Sequence, residues 1–392
     1  YNTLGLIYWT LNDSPRALTH LHRSLDLAKE IQSPLDIASA YNNIGLVHRK
    51  DGDYEKSIEF FKKALAKDIE LKSKWGQGYT HRNLGMSYLR LDRLEEAGTH
   101  IDQAITLSRE IGNRTNLVKS MLEKGHLALE RNQCDQAVPV FQETSELADR
   151  LNIREVQWRA LRGEGLCLAR GGQKSEAIEI YKQAVDIVDQ MRAAIKVEEF
   201  QNGFLTDKQD VYKELVLLFL DQGRIEESFN YAERAKSRSF IDLLGNQKVS
   251  LKDDVDQELY DALTEQKLKI QTTEEALGVA RAKGEDPTVQ RLSQQLIAER
   301  NRYQDLLIQA KQESPEISSF VTVETITVEE VAELIDESVA LLEYLVTPEE
   351  LVTWVITRGE IRVARTPLVE NELNALVKDY RRRMQQLAPL EE

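Results

Sequence analysis

Cysteine is scarce: Cys134 and Cys167 are the two in 392 residues. Their spacing fits no metal-ligand motif. A disulfide framework is therefore unsupported, and the scarcity fits a reducing, cytoplasmic setting. Long apolar runs are lacking as well. The longest, Leu215 to Leu220, is one side of a helix, far short of the ~20 residues that a membrane span needs. Excess positive charge is missing too. The formal net charge is −15, which gives nonspecific nucleic-acid or anionic-membrane binding no overall electrostatic support. There is no Gly-rich phosphate loop and no nucleophile elbow. The six histidines, His20, His22, His48, His81, His100 and His126, lie apart from any Asp, Glu or Cys cluster at metal spacing. No metal and no cofactor is implied. The two cysteines read as small apolar helix residues and the histidines as structural or surface groups.

Charged residues make up 30% and aromatics 7%, a profile suited to a helical, water-soluble protein. The length suggests two or three domains. The chain opens on Tyr1, and its first residues read as the middle of a helix. That is the pattern expected of an internal piece of a longer protein.

Self-similarity is the strongest signal. Gly5, Gly45, Gly85, Gly125 and Gly165 recur at a fixed spacing of forty. Four other columns keep step: Ala17, Ser57, Ala97, Ala137, Ala177; Leu21, Phe61, Ile101, Phe141, Tyr181; Ser24, Ala64, Ala104, Thr144, Ala184; and Ile31, Leu71, Ile111, Leu151, Met191. A glycine in mid-helix costs about 1 kcal/mol against alanine, so glycines at a fixed phase imply close approach of a neighbouring helix. The small column twelve residues on is the expected facing contact. The large column four residues beyond that is expected to fill the space between repeats. Turn signals separate two helices within each repeat: Asn12-Asp13-Ser14, Asp51-Gly52-Asp53, Leu91-Asp92-Arg93, Arg131-Asn132-Gln133 and Gly171-Gly172-Gln173.

The stretches YNNIGLVHRKDGDYEKSIEFFKKALA (41–66) and HRNLGMSYLRLDRLEEAGTHIDQAI (81–105) resemble tetratricopeptide (TPR) repeats. The resemblance implies a mostly α fold, a right-handed superhelical solenoid of helix pairs that binds other polypeptides. Six residues beyond the family's usual 34 add about 9 Å of helix per repeat, a length similar to that of kinesin light chains. Five repeats are expected over 1–195 and a sixth, out-of-phase unit over 196–245. Gly223 and Ser228 repeat the spacing of Gly52 and Ser57. The step from Ala177 to Ser228 is longer than forty by eleven residues, placed near Lys196 to Asp207 as an extended helix or a loop.

A repeat cannot bury its apolar face alone, so repeats stack and leave a concave surface lined by first helices. By helical phase, the residues expected there are Asn42, Arg49, Lys50, Tyr79, Arg82, Arg90, Lys119, His126, Arg159, Arg162 and Arg170. Arg and Asn suit carboxylates and extended backbone, which points to an acidic or extended peptide from a protein partner. Two other readings stay open. These are ordinary solvated charges, or the groove holds another segment of the parent chain.

After Gly245 the pattern changes. Residues 246–315 read as an antiparallel helical hairpin with coiled-coil character, helices spanning 252–282 and 288–312. The first helix carries Leu259, Leu263, Ile270, Leu277 and Ala280 at three-, four- and seven-residue steps, and the second carries Leu292, Leu296, Tyr303, Leu307 and Ala310. The turn is Lys283-Gly284-Glu285-Asp286-Pro287, with proline opening the second helix. Residues 316–392 read as the start of an α/β domain: a short helix from Thr327 to Ile335, strands at 340–346, 351–357 and 361–366, and a helix at 369–387.

YAERAKSRSFIDLLG (231–245) and ALLEYLVTPEELVTWVITRGEIRVARTPL (340–368) resemble CHAT-domain proteins, which are caspase- and separase-like. The resemblance implies that TPRs regulate a cysteine-peptidase domain. That chemistry needs a His base beside a Cys nucleophile, yet the last His is His126 and the last Cys is Cys167. No catalytic residue is carried over, and no peptidase activity is expected of this chain. A plain TPR adaptor with an inactive sheet is the alternative.

Overall fold

The computed structural model describes residues 1–193, 208–244, 254–283, 286–313, 328, 331, 335–368 and 370–387. The chain divides into two compact units, Tyr1–Ala184 and Val185–Glu392.

The first unit is a solenoid of helix pairs. Its helices are α1 (Asn2–Thr10), α2 (Ser14–Glu30), α3 (Pro34–Lys50), α4 (Tyr54–Glu70), α5 (Lys74–Arg90), α6 (Leu94–Glu110), α7 (Arg114–Glu130), α8 (Cys134–Arg150) and α9 (Arg154–Arg170). The helix α10 (Lys174–Ala193) carries the fifth repeat's second half and contains the division between the units.

The connections explain the regularity. Each helix ends on a residue in the left-handed region: Asn12, Gln32, Gly52, Lys72, Asp92, Gly112, Asn132, Asn152 and Gly172, spaced twenty apart. The next residue's N–H then reaches back five positions, as from Asp13 to the Tyr8 carbonyl at 2.9 Å and from Asp53 to the His48 carbonyl at 2.9 Å. This is the Schellman closure, which satisfies otherwise orphaned carbonyls. The same residue opens the next helix. Asp13, Ser33, Asp53, Ser73 and Asn113 each accept a backbone N–H three residues on with their side chains. The repeat of forty is thus two copies of one twenty-residue helix-and-turn unit.

The glycine columns sit where close approach was expected, but the facing residue differs. The large column, rather than the small one, fills the space over each glycine. A Cβ on Gly45 would stand 2.6 Å from the Phe61 ring, on Gly85 2.6 Å from Ile101, and on Gly165 2.8 Å from Tyr181. The small column is also fully buried: Ala17, Ser57, Ala97, Ala137 and Ala177 are each 0% exposed. The column at Ile31, Leu71 and Ile111 lies at the helix ends and is exposed.

In the second unit, α11 (Gln209–Asp221) and α12 (Ile225–Leu244) form the sixth pair. Gly223 is left-handed, and the Arg224 N–H reaches the Phe219 carbonyl at 2.9 Å, so the turn is the same device. The residues proposed for the phase shift, 196–207, lie outside the described residues. The packing inside the pair is inverted. Fifty-one residues after Gly165 and Tyr181 come Val216 and Ala232, both 0% exposed and in one cluster. A medium residue replaces the glycine and a small one replaces the ring, so volume is roughly kept.

The sheet completes that core. Strands β1 (Leu341–Val346), β2 (Glu350–Thr357) and β3 (Glu360–Pro367) form an antiparallel meander in that order. Leu345, Val352, Trp354 and Ile356 bury one face against Val216, Phe229 and Ala232. The sheet shares a core with the sixth pair, where the sequence suggested separate units. The structure gives α13 (Asp254–Lys283) and α14 (Asp286–Glu313) as the hairpin. Leu259 and Leu263 pack with Leu306, and Leu277 and Ala280 with Leu292. Among the described residues, Leu306 is a buried partner of Leu259 and Leu263. The side chains of Leu307 and Ala310 lie outside the described residues, as do most of 327–334. A final helix, α15, spans Glu370–Leu387. Among the described residues no helix is long and apolar enough to cross a membrane.

Candidate functional site

Successive first helices touch one another, α5 with α7 and α7 with α9. They form the inner layer of the solenoid, so their outward residues line its concave face. Small residues at the contacts, including Ala38, Ala40, Gly78 and Thr80, are buried and let the helices close up.

A polar ladder runs along this layer. Asn43 donates to Asn2 Oδ1 at 2.8 Å, and Asn83 donates to Asn42 Oδ1 at 2.9 Å. Asn42 in turn donates to Asn43 Oδ1 at 3.4 Å. One repeat on, Arg82 and Glu123 occupy the same register; Glu123 is 8% exposed and its charge acts on Arg82. The rungs join residues forty-one apart, one more than the repeat.

Two arginines stand on this ladder. Arg49 Nη1 donates to Asn83 Oδ1 at 3.1 Å, and its guanidinium lies 5.8 Å from the Phe61 ring centroid. Arg82 Nη1 donates to Asn116 Oδ1 at 2.9 Å and covers Tyr79 at 5.2 Å. Among the described residues neither guanidinium has a carboxylate at ion-pair distance. Burial pushes the Arg49 pKa down to about 10, and burial lowers that of Arg82. Lys119 is lowered by burial and then by Arg82. Glu123 feels the opposite balance. Burial raises it, but His126, Arg82 and Arg49 together outweigh burial and hold it below its ordinary value. The local balance is two arginines and a lysine around one buried carboxylate, an excess of positive charge inside an acidic protein.

The other expected residues are distributed along the same helices. Lys50 Nζ bonds the Trp9 carbonyl at 2.8 Å. Tyr79 packs on the exposed Trp75 at 4.3 Å. His126 Nδ1 lies 3.4 Å from Glu123 Oε2. Arg159 pairs with Glu155 at 2.8 Å. Arg162 is half-buried, while Arg90 and Arg170 are exposed at the last turns of α5 and α9. Asn83 joins Asn42 and Arg49 by hydrogen bonds, while Arg49, Arg82 and His126 act on Glu123, and Arg82 on Lys119, through their charges; Arg159 stands farther along. Sequence reasoning missed Asn43, Asn83, Asn116 and Glu123. The signal was available as polar residues at a spacing of forty-one.

The remaining histidines pack on aromatic rings or on each other: His20 on Tyr8 at 5.2 Å, His48 on Phe60 at 5.4 Å, and His81 with His100, ring nitrogens 2.8 Å apart. Among the described residues no group of three or more His, Cys, Asp or Glu is placed to hold a metal.

Models of the tetratricopeptide repeat match residues 1–70, 77–150 and 122–196. The stacked pairs are tetratricopeptide repeats. A curated relative, the anaphase-promoting complex subunit CDC16 of Saccharomyces cerevisiae, is 27% identical over 123 residues. That match covers 31% of this chain and 14% of the relative, so the chain spans a small part of that protein's length. Among solved structures, BtubC (BKLC) from P. vanneervenii superposes with a TM-score of 0.50 at 14% identity, covering 62% of this chain and 96% of that one. The apo form of RapI gives a TM-score of 0.46 at 18% identity, covering 60% and 82%. The likeness to BtubC (BKLC) is one of fold.

Proposed function

We propose that the inner face of repeats two to five binds an acidic, extended segment of a protein partner. The observation that carries this reading is the state of Arg49 and Arg82. Both guanidiniums are held in place by neutral amides and share one buried carboxylate. A ligand carboxylate meets this surplus charge, and guanidinium is the side chain best suited to hold one. The chain acts as a binding scaffold and performs no catalysis. The scarcity of cysteine supports a reducing, cytoplasmic compartment.

The test uses a fluorescent oligo-glutamate peptide. Anisotropy should report saturable binding that weakens with salt. Arg49→Gln with Arg82→Gln should weaken it at least tenfold at unchanged helix content. Lys119→Glu, half-exposed on the same face, keeps the test usable if the double variant unfolds. Equal binding by wild type and Lys119→Glu would remove the inner face as the site.

A second reading concerns the sixth pair and the sheet, which carry the resemblance to CHAT-domain proteins. This region passes groove occupancy to a regulated peptidase domain of the parent protein. What supports it is the shared core, with the Trp354 indole N–H donating to Ser228 Oγ at 3.0 Å. Peptide binding that alters amide exchange in β1–β3 favours this reading. Unchanged exchange favours a plain adaptor.

A further inference from the structure

The two cysteines of the chain stand on neighbouring helices, Cys134 as the first residue of α8 and Cys167 near the end of α9. The fold brings them into one apolar cluster. Cys167 is 2% exposed there, with Ala137 and Phe141, and the half-buried Cys134 packs against it. The register shows how near the two positions lie. Eighty residues earlier their counterparts are Tyr54 and Ser87. Ser57 on α4 bridges that pair: its Oγ donates to the Tyr54 carbonyl at 2.8 Å and lies 2.8 Å from Ser87 Oγ. Forty residues earlier the counterparts Leu94 and Leu127 share one cluster. The bridging position beside the cysteines is Ala137, which places no hydroxyl between the thiols. Burial, then Cys134, push the Cys167 thiol up to about 12.

We propose that Cys134 and Cys167 are a redox-responsive modification site, closed to an intramolecular disulfide by a low-molecular-weight disulfide such as oxidised glutathione. The Cys134 thiolate, which the oxidant reaches, attacks one sulfur of the small disulfide and expels the other as a thiol. Cys167 then attacks Cys134 Sγ in the mixed disulfide, gives up its proton and releases the second small thiol. Two protein thiols lose two electrons, and one small disulfide is reduced to two thiols. The buried Cys167 is a weak acid and therefore a slow attacking group and a poor leaving group, so the bond is slow both to close and to open. The link ties the second helix of the fourth repeat to the first helix of the fifth, across the seam on which the solenoid stacks. A reducing compartment admits such a bond when its oxidant rises.

The probe is oxidised glutathione, added to the whole chain and followed by non-reducing peptide mapping. The expected product is a monomer lighter by two hydrogens, with the Cys134 and Cys167 peptides joined, and dithiothreitol should restore both thiols. Its thermal midpoint should lie at least about 4 °C above that of the reduced chain. Cys167→Ser should stop at one glutathione on Cys134 and show no such rise. A wild-type chain left unmodified, or stopped at that mixed disulfide with Cys167 still open to alkylation after unfolding, would overturn the proposal. So would a disulfide between two chains, or a joined pair whose midpoint is unchanged.

Discussion

Gly45 lies beneath the ring of Phe61, so close that a single added carbon on Gly45 would sit 2.6 Å from the ring. Phe61 is 0% exposed, and the ring has no free space to retreat into. The pair fixes how closely α3 and α4 cross, and the same arrangement recurs in the other four repeats.

Gly45→Ala should therefore destabilise the solenoid by about 1–3 kcal/mol, although alanine is the better helix former. Adding Phe61→Leu should recover part of the loss, because a smaller side chain admits the methyl. A denaturant titration of the single and double variants checks this. Additive losses would show that the two residues do not share one space.

The turns make an opposite prediction. Lys72 holds a left-handed backbone at φ 52°, which costs a non-glycine residue roughly 1 kcal/mol. Lys72→Gly should stabilise the chain by a few tenths to about 1 kcal/mol, after the entropy that glycine adds to the unfolded state. Gly112→Ala, at φ 68°, should lose about as much. Thermal melts of both variants read the two signs.

His81 and His100 give a pH dependence. Burial, then His100, pushes the His81 pKa down to about 4, and burial, then Lys62, lowers that of His100 against the opposing pull of Glu96. The folded state prefers both rings neutral, while unfolded histidines take up protons near pH 6.5. The unfolded state then binds more protons, so stability is full above about pH 6.5 and falls as pH drops toward 4. The loss from His81 is on the order of 2 kcal/mol. His81→Phe should flatten that slope, measured by urea unfolding between pH 7 and 4.5. An unchanged slope would place the acid sensitivity elsewhere.

In the second unit, Ser228→Ala should cost about 1–3 kcal/mol, because it leaves the buried Trp354 N–H without its acceptor. Trp354→Phe with Ser228→Ala should cost less than the sum of the single changes. Near-ultraviolet circular dichroism and urea unfolding of the variants measure this coupling.

Much of the solenoid was legible in the sequence because its packing repeats. Gly45 and Phe61 recur as a pair, and apolar columns of fixed phase report helices directly. The twenty-residue half-unit was hidden because the left-handed position tolerates several residues. It is Gly in Gly52 and Gly112 but Lys in Lys72 and Asp in Asp92. The ladder was missed because Asn42 was read as facing outward to a ligand, when it also bonds Asn43 and Asn83. The contact of Trp354 with Ser228 joins residues 126 apart, and no local pattern encodes such a pairing.

In the proposed complex a ligand's carboxylates meet Arg49, Arg82 and Lys119 on the inner layer. Hydrogen–deuterium exchange of the chain with and without oligo-glutamate peptide tests it directly. New protection should concentrate in α3, α5 and α7. Protection confined to α4, α6 and α8, or none at saturating peptide, would contradict the account.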